Sequence, residues 1–235
     1  MSTPDVCFGT LHTEENNMHG KALTLVSGFY AVASGAAADP VLLNGDMNGV
    51  VGMVQSPTDW MIAQSTPDVV NATGPFNNTI NPWTLSPNGG TFARMNGVGN
   101  VQSEGISQNV SGFEVGEVFE FSFYATNLGF QNAANGSWNG FAGFFEFYAD
   151  GLLVATSDAI SKEASASDPI VWLEQSVQFE VTASEFLLEI RAETTAGEFD
   201  IAYMGLDGVS TRIVPAPGAI SALAAFGFMT TRRRR

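Results

Sequence analysis

Glu117-Val118-Phe119-Glu120-Phe121-Ser122-Phe123-Tyr124-Ala125-Thr126 alternates large apolar residues with polar or small ones at a period of two. Side chains along a strand point to opposite faces in turn. This spacing therefore predicts a strand with Phe119, Phe121 and Phe123 on a buried face and Glu120 and Ser122 on the other. A helix would scatter the three rings around its axis. Residues 140–149 repeat the pattern, with Phe141, Phe145 and Phe147 on one face against Phe144, Glu146 and Tyr148. The turn Asp150-Gly151 then leads into residues 152–156, which predicts a hairpin. Further short apolar runs at 60–63, 91–95, 105–110, 170–181, 186–192 and 199–210 read as strands. Residues 64–90 are crowded with Pro, Gly and Asn and read as one long loop. Helical periodicity is absent between residues 39 and 217. The expected fold is all-β, an antiparallel β-sandwich of jelly-roll type.

The chain has 235 residues, of which only 14% are charged, and a net charge of −15. That length suits one all-β domain with targeting segments at its ends. Four of the nine basic residues are the terminal arginines and a fifth is Lys21, so the central domain keeps Arg94, Lys162, Arg191 and Arg212. Phosphate recognition needs clustered cations, so a nucleic-acid partner is excluded. Cys7, His12 and His19 all precede residue 20. If that region is removed, Cys–His and Ser–His–Asp nucleophile systems and His- or Cys-ligated zinc go with it.

The ends carry the addressing. Met18-His19-Gly20-Lys21, the apolar run 22–33 and Ser34-Gly35-Ala36-Ala37-Ala38 make a positive, an apolar and a small-residue region in the order of a secretory signal peptide. Ala36 and Ala38 are placed for cleavage before Asp39. Residues 1–38 are thus an N-terminal extension plus a signal helix, with Met18 a candidate start. At the other end, residues 214–235 begin with Val214-Pro215-Ala216-Pro217, where two prolines end any strand. Fourteen uncharged residues, 218–231, and then Arg232, Arg233, Arg234 and Arg235 follow. The apolar stretch predicts a short helix of about 21 Å against a hydrocarbon core of about 30 Å. The arginines would stay with the anionic cytoplasmic leaflet. This order resembles the PEP-CTERM sorting signal, whose usual Val-Pro-Glu-Pro appears here with Ala216 in the third place. The resemblance implies a bacterial protein passed through the secretion machinery and held briefly at the inner membrane. An exosortase-like membrane protease would then process it toward the cell surface or the extracellular space.

Residues 39–213 form the domain between these signals. Leu43-Asn44-Gly45-Asp46-Met47-Asn48, the strand 115–125 and Tyr203-Met204-Gly205-Leu206-Asp207-Gly208-Val209-Ser210 resemble the opening, central and closing segments of galactose-binding-like jelly rolls, the shape of many carbohydrate-binding modules. That resemblance implies neighbouring first and last segments bridged by a structural calcium near Asn44, Asn48 and Asp207. Asn48 stands where the family usually has Glu, which removes one negative charge from a site that wants six to eight oxygen ligands. The other reading of Asn44-Gly45 and Asp207-Gly208 is as turn residues.

Sugar rings stack on flat aromatic faces while amides and carboxylates meet their hydroxyls. Trp83 and Trp138 lie among Asn, Pro, Gly and Ser and are the candidates, either as exposed platforms or as lids on the ends of the sandwich. Trp60 and Trp172 lie in apolar runs and are expected in the core. A glycosidase needs two acids about 5–9.5 Å apart. Glu104, Glu146, Asp150 and Glu193 stand in no such motif. The sequence therefore predicts a non-catalytic exported protein, binding extracellular polysaccharide or serving as a structural or adhesive matrix component.

Overall fold

The computed structural model describes residues 41–74, 83–99 and 102–214. The signal segment with Ala36 and Ala38, and the tail with Pro215, Ala216, Pro217 and the four arginines, lie outside the described residues, as do both expected flanking helices. The described residues contain no helix, hence none long and apolar enough to cross a membrane.

The strands are β1 Met61–Gln64, β2 Asp68–Val70, β3 Phe92–Val98, β4 Gly105–Ser111, β5 Val118–Asn127, β6 Phe130–Gln131, β7 Trp138–Asn139, β8 Gly143–Ala149, β9 Leu152–Thr156, β10 Leu173–Glu180, β11 Glu185–Thr194 and β12 Ile201–Val214. They form two five-stranded sheets, ordered β1-β4-β11-β8-β9 and β10-β5-β12-β3-β2, and a small β6–β7 hairpin. Every pairing between named strands is antiparallel. The architecture is a β-sandwich.

Strand β5 decides the packing, as its alternation predicts. Phe119, Phe121 and Phe123 are buried and meet Phe113, Phe145, Phe147 and Phe179. Centroid distances are 4.6 Å for Phe113–Phe119, 5.1 Å for Phe121–Phe179 and 5.2 Å for Phe123–Phe147. Each fully buried ring of this size contributes about 1.5–3 kcal/mol. The β8–β9 hairpin turns at Asp150-Gly151, both with positive φ, as a two-residue primed turn requires.

Several expectations are refined or changed. Glu120 faces away from the core but is covered, taking Gln178 Nε2 at 2.7 Å and Arg212 Nε at 2.6 Å. Those bonds, Gln178 first, hold its carboxyl below the usual range although burial pushes the other way. The 64–90 stretch is not all loop, because Asp68 is drawn into β2 by a buried ion pair with Arg94 at 2.6 Å on β3, a partner no local signal reveals. Trp83 is 5% exposed and belongs to a second cluster with Val70, Phe92, Leu128 and Ile170 beneath that stretch. Trp172 only borders this cluster, donating Nε1–H to Thr84 O at 2.7 Å, whereas Trp60 is buried as expected. Phe141 is the last. Strand β8 starts after it, and Phe141 is 45% exposed rather than aligned with Phe145 and Phe147. Its amide is tied to Ile201 O and its carbonyl to Asn127 Nδ2, which turns the chain there before the strand begins.

Candidate functional site

Two places bring together the residues singled out by sequence. The first is the junction between the opening segment and β12. Between Asp207 and Ser210 the register of β12 against β5 slips by a residue, and Gly208 sits at φ +62. Such a bulge re-aims its neighbours, and a left-handed conformation here suits glycine. Val209 thereby turns inward and donates its amide to Gly45 O at 2.8 Å, joining the two segments.

Asp207, at 0% exposure, is the least expected group at this junction. Its Oδ1 accepts the Gly208 amide at 2.8 Å and its Oδ2 accepts the Ser86 hydroxyl. Burial pushes its carboxyl up to about 7, and the charge of Asp46 adds to the rise, while the two hydrogen bonds oppose it. Asn88 leans across the same opening, with Nδ2 3.4 Å from Asp46 Oδ1. Asn44 is committed elsewhere. Its Nδ2 donates to Asn48 O at 2.8 Å and Thr58 O at 2.5 Å, and its Oδ1 accepts the Asn48 amide at 3.0 Å. Asn48 Oδ1 lies against Gly90. No group of three acidic, histidine or cysteine side chains converges among the described residues. Asp46 acts on Asp207 through its charge, while the Asn44 amide is taken up by Asn48 and Thr58.

The second place is an aromatic rim around the β6–β7 hairpin. Trp138 pairs with Gln131 and donates Nε1–H to Glu163 O at 2.7 Å. One side of its indole packs on Gly129, where a Cβ would meet ring atoms at 2.3 Å and 2.4 Å. The Lys162 ammonium lies 5.6 Å from the ring centroid. Trp138 is half-buried, a strut more than a free platform. The open ring surfaces beside it belong to Phe130, 39% exposed and stacked on Tyr203 at 5.4 Å, and to Phe141. Gly140 joins the two halves, since a Cβ there would touch Lys162 Cδ and Tyr203 Cδ2, each at 3.3 Å. Burial raises the Tyr203 phenol, with Arg94 opposing.

Sequence reasoning found Trp138 but missed Phe130, Phe141, Lys162 and Tyr203. Phe141 was hidden by its parity with Phe145, and Tyr203 by its place in an ordinary strand pattern. The signal for Lys162 was its isolation as a cation in a loop of Ser, Ala and Asp.

The acids weighed for catalysis are engaged in structural bonds or buried. Glu104 accepts the Asn96 amide at 2.7 Å and is raised by burial. Glu146 accepts the Tyr148 hydroxyl, whose phenol burial and that same carboxylate push up to about 12. Glu193 is raised by burial and by the charge of Glu146, its diagonal neighbour across β8 and β11, and Asp150 accepts the Leu187 amide at 2.9 Å.

No protein-family model matches this chain, and no curated protein sequence does. Among solved structures it is similar to a Stig cyclase from Fischerella sp. TAU, with 14% identity, 77% of this chain and 100% of that one covered, and a TM-score of 0.48. It is similar to the C-terminal domain of EclA, a sugar-binding protein, with 14% identity, 50% and 70% covered, and a TM-score of 0.32. The CBM22-1–GH10 modules of a Clostridium thermocellum xylanase, solved with xylohexaose, match at 13% identity, 68% and 26% covered, and a TM-score of 0.39. At these scores none of the three assigns an activity.

Proposed function

We propose that this is an exported, non-catalytic bacterial protein whose sandwich, wired as a galactose-binding-like jelly roll, binds carbohydrate of the extracellular matrix at the aromatic rim. The observation that carries this reading is the pair of open rings, Phe130 and Phe141, beside a buttressed indole. Flat apolar rings next to amides are what a pyranose requires, and Asn135 in the β6–β7 turn and Asn139 in β7 are both exposed. Export by the secretion machinery, transient anchoring and cleavage by an exosortase-like protease complete the proposal, on the strength of the two terminal segments.

Calcium is proposed at the Asp46–Asp207 junction, where it would supply the positive charge that the buried carboxylate lacks. Calcium titration followed by thermal melting tests this. A concentration-dependent rise in midpoint, larger at pH 8 than at pH 5.5 because protons compete for Asp207, is expected; an unmoved midpoint at both pH values removes the ion.

For the rim, affinity electrophoresis against a panel of bacterial and plant polysaccharides is the test. Replacing Phe130 and Phe141 together by Ala should weaken retardation roughly tenfold or more, at about 1 kcal/mol per ring. Retardation that survives both changes would place binding elsewhere. A folded domain retarded by no polysaccharide would leave the adhesive or structural reading.

A further inference from the structure

The domain is strongly acidic, and its few cations are mostly neutralised. Among the described residues Arg94 pairs with Asp68, Arg191 with Glu189 and Arg212 with Glu120. Lys162 makes no ion pair with a described residue. Its ammonium stands instead on the Trp138 indole, and its stem packs against Gly140 beside Tyr203. A flexible, strongly hydrated lysine head is usually left in water. Here the indole holds it near the supports of two open rings, since Phe130 stacks on Tyr203 and Phe141 directly follows Gly140. Lys162 is thus a cation of the rim that no described carboxylate neutralises.

We infer that the rim selects anionic sugar units, uronate carboxylates or sulfate esters, with Lys162 as the cation that meets the anion. This rests on the carbohydrate reading above and names its ligand class. The net charge of −15 opposes such a ligand at long range. At physiological ionic strength that repulsion is screened beyond about 8 Å, whereas an ammonium in contact with the anion is not. Trp138 acts here as a positioning residue, since its indole holds the ammonium through its π face.

The test is affinity electrophoresis in 0.15 M salt against four polymers: polygalacturonate, its fully methyl-esterified form, dextran sulfate and dextran. Wild-type protein should bind an anionic polymer about three- to tenfold more tightly than its neutral counterpart, the range set by one partly desolvated charge. Which anionic arm shows the preference distinguishes carboxylate from sulfate. Lys162→Gln should lower binding of the anionic polymers to the level of their neutral counterparts. Lys162→Arg should restore most of the preference, and melting of both variants separates lost charge from lost fold. Binding with no anionic preference in the wild type, or a preference unchanged in Lys162→Gln, overturns the inference and leaves the carbohydrate reading standing. Binding to none of the four, with the wider polysaccharide panel also negative, overturns both.

Discussion

Asp207 is held in a state its neighbours disfavour. Burial and Asp46 raise its carboxyl from the ordinary range near 4 to about 7, so the folded protein binds that proton more tightly than the unfolded chain does. The resulting stabilisation is complete below pH 4 and is lost as pH rises toward 7. In chelator-treated buffer, therefore, the melting midpoint of wild type relative to D207N should fall steadily between pH 4 and 7 and level off above that. A pH-independent difference would mean the carboxyl titrates normally. Arg94 carries a second prediction. Its guanidinium neutralises Asp68, which also accepts the Val54 amide at 3.0 Å. Arg94→Ala strands that buried carboxylate and should cost about 3–5 kcal/mol in chemical denaturation. A cost below 1 kcal/mol would show that water reaches Asp68. Phe121→Ala, by contrast, only opens a cavity, with a loss of about 3–5 kcal/mol and unchanged pH dependence.

At the scale of elements, the strands were readable and their covers were not. Period-two alternation found β5 and the turn found the β8–β9 hairpin, because both are local consequences of side-chain direction. Strand β2 was missed, since a three-residue strand among turn signals forms only when Arg94 reaches it from β3. The same limit explains Trp83. Its neighbours in sequence are loop formers, yet its neighbours in space are Phe92 and Leu128. At the candidate sites, Trp138 and Asp207 were found by composition and by resemblance. Asp46, Ser86, Lys162 and Tyr203 were not, because each joins through contacts more than twenty residues away. The β6–β7 hairpin offers a further check. Gly129, at φ +57 under the Trp138 indole, has no room for a methyl group. Gly129→Ala should lower the midpoint by several degrees and displace the indole, seen as a red shift and loss of anisotropy in tryptophan emission. A folded variant with unchanged emission would show that the hairpin gives way instead.

For the whole molecule, the expected events are at the ends. Secreted material should begin near Asp39, and replacing Arg232, Arg233, Arg234 and Arg235 by Ser should disturb processing while leaving the sandwich folded. Unaltered processing in that variant would count against sorting by an exosortase-like protease. On the proposed itinerary, the net charge of −15 would help to keep a released domain in solution.

Strand β12 runs to Val214, the first residue of that tail. It pairs with β3 over Ile201–Leu206 and with β5 as far as Val214, so the residue before Pro215 is still in a ladder. Its position inside the sheet, between β5 and β3, has a mechanical meaning. Tension applied to the C-terminus runs along the strand and loads the hydrogen bonds of a ladder together in shear, whereas tension on an edge strand can peel them one by one. Resistance to pulling is governed by the unfolding barrier and not by equilibrium stability. A domain tethered by this end to a membrane or a matrix would withstand drag through the middle strand of its sheet.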